Sequence, residues 1–182
     1  EMSKAEIAVV TGAVGFIGSH MVDLLLDRGY QVRGIDNLSG GRLDNLEHHK
    51  GDPNLMLEVR DLRDLRDNDR LFEGAKYVFH FAGIGNIVPS IEQPVDYLSA
   101  NVMGTVHALE AARHAGVQKF IYTASSSCYG LAQELPTTEQ SEIAVQYPYA
   151  LSKYLAEQAT MHWGKVYHLP VVSLRIFNAY GT

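Results

Sequence analysis

Short apolar runs alternate along this chain with longer segments in which apolar residues recur at helical period. Six apolar runs bounded by turn-forming residues are typical of buried strands: Ile7 to Val10, Gln31 to Ile35, Leu55 to Val59, Tyr77 to Phe81, Phe120 to Ala124 and Val171 to Ile176. Three sets of apolar residues have helical spacing: Ile17, Met21, Leu24 and Leu25; Val95, Leu98, Val102, Val106 and Leu109; and Leu151, Leu155 and Ala159. Strand and helix therefore alternate along the chain.

This alternation predicts a parallel sheet, because each parallel pair of strands needs a long crossover connection. Strands that are apolar almost throughout are covered by helices on both faces of the sheet. We therefore expect an α/β fold with a doubly wound parallel sheet, the Rossmann fold, in one domain over residues 1–182. The charged segment 61–70 is expected to form the solvated face of a further helix.

Composition narrows the possible partners and the compartment. Fifteen basic and 21 acidic residues give a net charge of −6, and no basic stripe suggests nucleic acid as a partner. The apolar stretch 7–26 is interrupted by glycines, His20 and Asp23, so we interpret it as strand, loop and helix rather than a membrane span. Cys128 is the only cysteine, which excludes an internal disulfide and favours a reducing, cytoplasmic location.

Histidines are numerous enough to raise the question of a bound metal. The eight histidines include the pair His48-His49 and the nearby His162 and His168. None of them combines with acidic residues at the spacing along the chain that metal ligands usually show. The sequence therefore predicts no metal site.

A glycine-rich segment follows the first predicted strand, with the sequence Thr11-Gly12-Ala13-Val14-Gly15-Phe16-Ile17-Gly18. Gly12 allows a sharp turn, Gly15 lets backbone N–H groups approach a pyrophosphate, and Gly18 lets the helix pack closely on the sheet. Asp36 ends the second strand 18 residues after Gly18, where a carboxylate accepts hydrogen bonds from ribose hydroxyls. The combination predicts a dinucleotide-binding site.

The carboxylate of Asp36 also bears on the choice of dinucleotide. It would repel the 2′-phosphate of NADP, so NAD is the expected cofactor. Arg33 and Arg42 lie near Asp36 in the sequence, and they keep NADP open as the alternative.

Tyr149 and Lys153 are four residues apart, so they lie on one face of a predicted helix. A neighbouring ammonium group stabilises a phenolate, which then acts as a general base. Ser125 follows the fifth predicted strand, and ligands of open α/β sheets bind outside the carboxyl ends of the strands. Ser125 can therefore reach the same reacting hydroxyl group.

In order and over the whole length, the chain resembles the extended short-chain dehydrogenases/reductases of the NAD-dependent epimerase/dehydratase family, and most closely the UDP-sugar 4-epimerases. The motifs that carry the resemblance are the glycine loop, Asp36-Asn37-Leu38-Ser39, Asp61-Leu62, His80-Phe81-Ala82-Gly83, Asn101-Val102-Met103-Gly104-Thr105, the triple serine 125–127, Tyr149 with Lys153, and Arg175-Ile176-Phe177-Asn178-Ala179-Tyr180-Gly181.

The resemblance implies roles for three groups of residues. The catalytic residues would be Ser125, Tyr149 and Lys153. The substrate would be bound by Ser125, Ser126, Tyr149 and Asn178. The cofactor NAD would be held by Gly12, Gly15, Phe16, Ile17, Gly18, Asp36, Asn37, Ser39, Asp61, Leu62, Phe81, Ala82, Gly83, Asn101, Tyr149, Lys153 and Phe177.

The resemblance also implies a mechanism. Tyr149 would remove the proton of a sugar 4-hydroxyl while hydride passes from C4 to NAD, and Ser125 would orient the resulting keto oxygen. In an epimerase the keto sugar then turns over and receives the hydride on its other face. The implied protein is an isomerase, a cytoplasmic and homodimeric NAD-dependent 4-epimerase of nucleotide sugars of the UDP-glucose/UDP-galactose type.

Alternative activities remain open at this point. Dehydratases and decarboxylases of the family usually carry an acidic residue two places after the catalytic serine, where this chain has Ser127, so epimerisation is favoured over dehydration, decarboxylation or reduction. Many epimerases have a lysine at the position of Gly85, so the phosphate contacts are expected to differ. Family members continue well beyond the position of Thr182, so we expect a fragment that lacks the C-terminal substrate part. A non-catalytic NAD-binding scaffold or sensor is the alternative from another class.

Overall fold

A computed structural model describes residues 5–132 and 134–181, and it contains a six-stranded sheet in which all paired strands are parallel. The strands are β1 (Ile7–Thr11), β2 (Gln31–Asp36), β3 (Leu55–Val59), β4 (Ala75–His80), β5 (Lys119–Ser125) and β6 (Val171–Ile176). Their order across the sheet is β3-β2-β1-β4-β5-β6. Strands β1 to β3 are therefore added toward one edge of the sheet and β4 to β6 toward the other, and the predicted doubly wound fold is confirmed.

Within the described residues, five α-helices connect the strands: α1 (Phe16–Asp27), α2 (Ile87–Glu92), α3 (Pro94–Leu98), α4 (Gly104–Ala115) and α5 (Pro148–Tyr167). Prolines at the first positions of α3 and α5 fit helix starts, because a first-turn N–H has no intrahelical partner. Gly116 ends α4 in the left-handed conformation at φ 66°, which a glycine adopts without strain. Among the described residues, no helix is long and apolar enough to cross a membrane.

Shorter helical segments fill the remaining connections. Three of them are 3₁₀ helices, over Leu43–His49, Leu62–Asp64 and Ser126–Tyr129. A π-helical turn, Ser99–Met103, joins α3 directly to α4, so the predicted apolar helix face from Val95 onward runs through one widened turn. Such turns are often found at functional sites.

The helix expected over residues 61–70 is absent, and that prediction was wrong. Only Leu62–Asp64 is helical there, as one 3₁₀ turn. The acidic side chains instead bind backbone N–H groups of the turns: Asp61 accepts from Arg63 N at 2.9 Å, and Asp69 accepts from Leu71 N at 3.1 Å. Aspartates that bind nearby N–H groups in this way stabilise turns at the expense of helix.

Side-chain alternation along β1 divides the core into two layers. Val9 faces a cluster built with Phe120, Leu109 of α4 and Ala156 of α5. Its neighbours in the strand, Ala8 and Val10, face the opposite cluster, which includes Val22 and Leu25 of α1 and Leu46 of the first 3₁₀ helix. Helices therefore cover both faces of the sheet, and the carboxyl ends of the strands are left free to form a site.

Truncation of Leu109 tests this packing. Leu109 is completely buried whereas Leu24 of α1 is 44% exposed, so Leu109→Ala leaves a cavity and Leu24→Ala does not. We expect Leu109→Ala to lower the free energy of unfolding by about 2–5 kcal/mol, and Leu24→Ala to lower it by much less. Urea unfolding followed by circular dichroism measures both values. Equal losses in the two variants would contradict the described position of α4.

Candidate functional site

A cleft of about 490 Å³ opens at the carboxyl ends of the strands, at the point between β1 and β4 where the strand order reverses. This is the position at which open parallel sheets bind ligands. The cleft is lined by most of the residues that the sequence assigns to the cofactor: Gly12, Gly15, Phe16, Ile17, Gly18, Asp36, Asn37, Ser39, Asp61, Leu62, Phe81, Ala82 and Gly83. Asn101, Tyr149, Lys153 and Phe177 are the assigned cofactor residues outside this lining.

The glycine loop is packed so tightly that side chains would not fit. Gly12 has φ 66°, and a Cβ atom there would lie 2.8 Å from Ala82 N; a Cβ atom on Gly18 would lie 1.9 Å from the Gly12 carbonyl oxygen. Gly15 immediately precedes α1, so the free N–H groups of the first helical turn lie beside the cleft. These donors and the positive end of the helix dipole fit a pyrophosphate group.

Asp36 stands at the end of β2, in the wall of the cleft. Its two carboxylate oxygens accept hydrogen bonds from Val14 N at 3.2 Å and from Leu38 N at 2.8 Å. A carboxylate has about four acceptor positions, so Asp36 retains capacity for ribose hydroxyl groups. The bond from Val14 N also fixes the glycine loop relative to the end of β2.

The arginines near Asp36 are occupied elsewhere. Arg33 donates to the backbone carbonyls of Arg70, Leu71 and Glu73 at 2.7–3.0 Å, and it is not part of the cleft lining. Arg42 is exposed and also lies outside the lining. The cleft therefore offers neither of these cations to a 2′-phosphate.

Arg60 lines the cleft, although the sequence analysis did not single it out. It forms a two-pronged ion pair with Asp69 at 2.8 and 2.9 Å and a further pair with Glu58 at 2.9 Å. Its positive charge is therefore neutralised within the protein. Since the partners come from β3 and a later turn, no pattern along the chain indicated this arrangement.

Asp61 and Asn37 meet at one side of the cleft. Asn37 Nδ2 donates to Asp61 Oδ2 at 2.9 Å, and the Arg63 side chain donates to both oxygens of Asp61 at 2.8 Å. The hydrogen bonds from Arg63 hold the pKa of Asp61 well below its ordinary value. Asp61 is therefore an ionised acceptor, as the predicted contact with adenine requires.

A buried chain of hydrogen bonds lies directly behind the glycine loop. His80, at the end of β4, bonds to Thr11 Oγ1 through Nδ1 at 2.6 Å and to Thr105 Oγ1 through Nε2 at 2.8 Å. Thr105 donates to the Asn101 carbonyl at 2.6 Å, and Ala82 N donates to Thr11 Oγ1 at 3.1 Å. The chain therefore links β1, β4 and α4 beneath the cleft.

Asn101 continues this network from the π-helical turn. Its side chain accepts from Ile84 N at 2.7 Å, donates to Ile84 O at 3.1 Å and donates to Ser152 Oγ of α5 at 2.9 Å. Asn101 is buried and lies behind segment 81–85 rather than in the cleft wall. Its contacts hold that segment in place.

Lys153 is buried between α5 and β5. Its ammonium donates to the Thr123 carbonyl at 2.6 Å and lies 4.7 Å from the centre of the Tyr122 ring. Burial lowers the pKa of Lys153 from 10.5 to about 8, while the negative charge of Glu157, one helical turn further on, acts to raise it. The ammonium therefore keeps its proton in most molecules at neutral pH.

Thr123 is a cleft residue that the sequence analysis missed. It lines the cleft, and its hydroxyl is buried with no hydrogen-bond partner among the described residues. A buried hydroxyl group without a partner carries a free-energy cost, so a bound ligand that accepted its proton would remove that cost. Its position on β5, two residues before Ser125, was the available signal.

Ser125 ends β5 and caps the 3₁₀ helix that follows. Its hydroxyl oxygen accepts from Ser127 N at 3.2 Å and lies 2.8 Å from Ser127 Oγ. Tyr149 is the second residue of α5, half-buried, with its ring edge-on to Tyr97 at 6.4 Å. Because Lys153 bonds to β5 near Ser125, the structure brings the elements that carry the predicted trio together beside the cleft.

The residues after β6 are more exposed. Phe177 is 61% exposed and stacks on Tyr129 at 6.3 Å. Arg175 holds Tyr129 in place, because it donates to the Tyr129 hydroxyl at 2.7 Å and forms an ion pair with Glu157 at 3.0 Å. Asn178 lies in a neighbouring groove shared with Phe16, Ile17 and His20.

Ser126, the other predicted substrate residue, is half-buried at the start of the 3₁₀ helix Ser126–Tyr129.

The sequence matches a family model and several curated proteins. The sequence model of the family described as GDP-mannose 4,6 dehydratase matches residues 9–182. A putative UDP-glucose 4-epimerase of Methanocaldococcus jannaschii is 34% identical over 175 residues, which cover 95% of this chain and 56% of the relative. The chain therefore spans about half the length of the curated relatives it matches.

Solved structures agree with this assignment. The UDP-N-acetylglucosamine 4-epimerase from Methanobrevibacter ruminantium M1, in complex with UDP-N-acetylmuramic acid, superposes with a TM-score of 0.92 at 34% identity and covers 98% of this chain and 56% of its own. The UDP-glucuronic acid 4-epimerase from Bacillus cereus, in complex with NAD, gives 0.88 at 30% identity, with 96% and 57% covered. The predicted resemblance is confirmed: this chain belongs to the family described as GDP-mannose 4,6 dehydratase, among the NAD-dependent epimerases and dehydratases of the extended short-chain dehydrogenase/reductase type.

Proposed function

We propose that this chain is the NAD-binding part of an isomerase that epimerises C4 of a nucleotide sugar of the UDP-glucose/UDP-galactose type. The observation that carries the proposal is the junction of α5 and β5, where the buried Lys153 ammonium is bonded to Thr123 beside Ser125. Tyr149 lies one helical turn before Lys153 on the same face of α5. Three groups suited to moving a hydroxyl proton therefore border a cleft suited to a dinucleotide.

NAD fits this cleft as the cofactor. The glycine loop and the start of α1 would hold its pyrophosphate, Asp36 its adenosine ribose, and Asp61 with Leu62 its adenine. Bound NAD supplies the acceptor and donor of hydride for the reaction. The adjoining segment 81–83 and Lys153 would border its nicotinamide half, and Phe177 would flank the ring.

Proton transfer falls to Tyr149 and Lys153. The Tyr149 phenolate takes the proton of the sugar 4-hydroxyl while C4 is oxidised to the ketone, and the phenol returns that proton when C4 is reduced. The Lys153 ammonium stabilises the phenolate, because opposite charges at short distance favour each other. The Ser125 hydroxyl donates to the sugar oxygen and orients it.

Ser127 supports epimerisation over dehydration. It stands two residues after Ser125, where the dehydratases would carry an acid, and its hydroxyl bonds to Ser125 Oγ at 2.8 Å. Removal of a proton beside a ketone requires a base stronger than a neutral hydroxyl group. The keto sugar would therefore be reduced again before a second proton is removed.

We further infer a homodimer in the cytoplasm, with no contact to nucleic acid or membrane. Apolar side chains are exposed on the segment from α3 to α4 and on α5, including Val95 at 75% and Leu155 at 40%. A paired-helix interface in a dimer would cover them. The buried free thiol of Cys128 suits a reducing compartment.

Tyr149→Phe removes the proton acceptor and leaves the rest of the ring in place. In the longest available chain that contains residues 1–182, we expect turnover to fall at least about a hundredfold while NAD binding is unchanged. Mass-resolved chromatography of UDP-glucose, incubated without added cofactor, gives the readout. Tyr154→Phe, also on α5, is the matched control.

A product of unchanged mass and shifted retention, lost in Tyr149→Phe and kept in Tyr154→Phe, would support the proposed epimerisation. Undiminished turnover in Tyr149→Phe would contradict it. Loss of water or carbon dioxide from the substrate would instead assign a dehydratase or decarboxylase. No conversion of UDP-glucose, UDP-N-acetylglucosamine or UDP-glucuronate would favour the non-catalytic alternative.

Asp36→Asn tests the assigned ribose contact. The variant removes a charged acceptor, and hydrogen bonds to charged groups contribute about 1.5–3 kcal/mol, so NAD should bind about ten- to a hundredfold more weakly. NADP should lose less affinity, because its phosphate would no longer face a carboxylate. Calorimetric titration of both nucleotides measures this, with the exposed Asp44→Asn as control. Equal losses for NAD and NADP would argue against the contact.

The pH titration of Lys153 tests its electrostatic setting. Carbon-13 NMR of the lysine ε-carbons should show one lysine with a pKa of about 8, and Glu157→Gln should lower that pKa further, because a negative charge that raises it is removed. Glu110→Gln should leave it unchanged. Since the unfolded chain binds the proton more tightly, the contribution of Lys153 to stability rises as pH increases from about 8 to 10.5. A midpoint near 10.5 in the folded protein would disprove this setting.

A further inference from the structure

Two histidines and an aspartate converge on the surface away from the cleft. His48 Nε2 lies 2.9 Å and His49 Nε2 lies 2.7 Å from the same oxygen, Asp23 Oδ1. The two rings are 4.2 Å apart at their centres. None of the three residues lines the cofactor cleft.

The fold creates this convergence between distant parts of the sequence. Asp23 lies in α1, and both histidines lie at the end of the 3₁₀ helix Leu43–His49. Buried Leu46 packs this 3₁₀ helix into the same core cluster as α1, and Asn45 Nδ2 donates to the Val14 carbonyl at 2.8 Å. The segment that carries the histidines is therefore held against α1 independently of the cluster.

The donor set matches a transition metal. Imidazole nitrogen and carboxylate oxygen are ordinary ligands of Zn²⁺, with bonds of about 2.0–2.2 Å. Ligand atoms in a tetrahedral site then stand about 3.3 Å apart, so the observed 2.7–2.9 Å needs an opening of only about 0.5 Å. The side chain of His48 is 57% exposed and that of Asp23 38%, which allows this movement and the entry of an ion.

The protein encloses the cluster on one side only. His49 is only 16% exposed, so one side of the cluster is closed by protein and the other is open to solvent. A catalytic-type zinc site with three protein ligands leaves a fourth position for water in the same way.

We propose that Asp23, His48 and His49 form a divalent transition-metal site, with Zn²⁺ bound by one carboxylate oxygen and two Nε2 atoms and with water completing the coordination. Each imidazole binds the ion as a neutral ring through its Nε2 lone pair, so the proton that Nε2 shared with Asp23 is moved to Nδ1 of the same ring by exchange with solvent. The ion would join α1 to the segment that follows the cofactor-lining residues 39–41. This inference departs from the sequence expectation of no metal, which considered spacing along the chain only.

A second group of possible ligands in the described chain is less suited. Asp67, Glu110 and His114 also lie close together. Glu110, however, already accepts from both Arg113 and Trp163 at 2.6–2.9 Å. A metal there would have to displace these donors, whereas at Asp23 it replaces only protons.

The test is metal binding to tag-free protein treated with chelator and then dialysed. Zn²⁺ is measured by equilibrium dialysis, and Co²⁺ by its visible absorption, for the parent chain and for Asp23→Asn, His48→Gln and His49→Gln. His114→Gln is the matched control, since it disables the second group. Far-UV circular dichroism without metal checks that each variant folds; if His49→Gln does not, the two exposed positions carry the test.

We expect one Zn²⁺ per chain in the parent and in His114→Gln, and an affinity at least about tenfold weaker in each ligand variant, since even outer-shell partners change affinity tenfold or more. Zn²⁺ should also raise the unfolding temperature of the parent but not of the ligand variants, and shift the imidazole nitrogen NMR signals of His48 and His49. Absence of binding, equal binding in the ligand variants, or loss in His114→Gln alone would each overturn the proposal. None of these readouts depends on NAD or on turnover, so they are independent of the proposed function.

Discussion

The arrangement of the site depends on the two hydrogen bonds made by the buried imidazole of His80. Burial, and then the positive charge of Lys153, lower the pKa of His80 to about 3, so the ring is neutral. Because the Thr105 hydroxyl donates to the Asn101 carbonyl, Nε2 of His80 must donate to Thr105 and Nδ1 must accept from Thr11. One tautomer therefore satisfies every polar atom of the chain, and it fixes the entrance to the glycine loop relative to α4.

The same network couples the two halves of the site. Asn101 bonds to both backbone groups of Ile84 and to Ser152, and Ser152 donates to the Tyr149 carbonyl at 2.7 Å. The start of α5, which carries Tyr149, the proposed proton acceptor, is thereby held to the segment that borders the cleft. The π-helical turn brings the Asn101 side chain to this position, where a regular helix would have shifted it by part of a turn. The contacts that stabilise this part of the fold therefore also set the geometry of the site.

The features that could be predicted are those that produce a local pattern along the sequence. The six strands follow from short apolar runs, and the glycine loop with Asp36 follows from the tight turn and the acceptor that a dinucleotide requires. The failures have two physical causes. Arg60 and Thr123 in the cleft and the meeting of Asp23 with His48 and His49 depend on contacts between segments that are apart in the sequence. The turns at 61–70 depend on aspartates that bind nearby backbone N–H groups in place of helix formation. Asp69, for example, binds Leu71 N and Arg60 instead of continuing a helix, and nothing in its charge pattern distinguishes the two outcomes.

The burial of Lys153 is the strongest physical reason to assign a chemical role to the site in addition to a structural one. A buried ammonium group is costly unless it is paired, yet among the described residues the ammonium of Lys153 contacts a neutral carbonyl and the face of Tyr122. The carboxylate of Glu157 is bound instead to Arg175 and Ser173. A methionine would fill the same space without that cost. Charged groups retained under such conditions are concentrated at sites of chemistry. The position of Lys153 one turn from Tyr149 and next to the cleft is therefore best explained by the proton transfer proposed for it, rather than by the stability of the sheet.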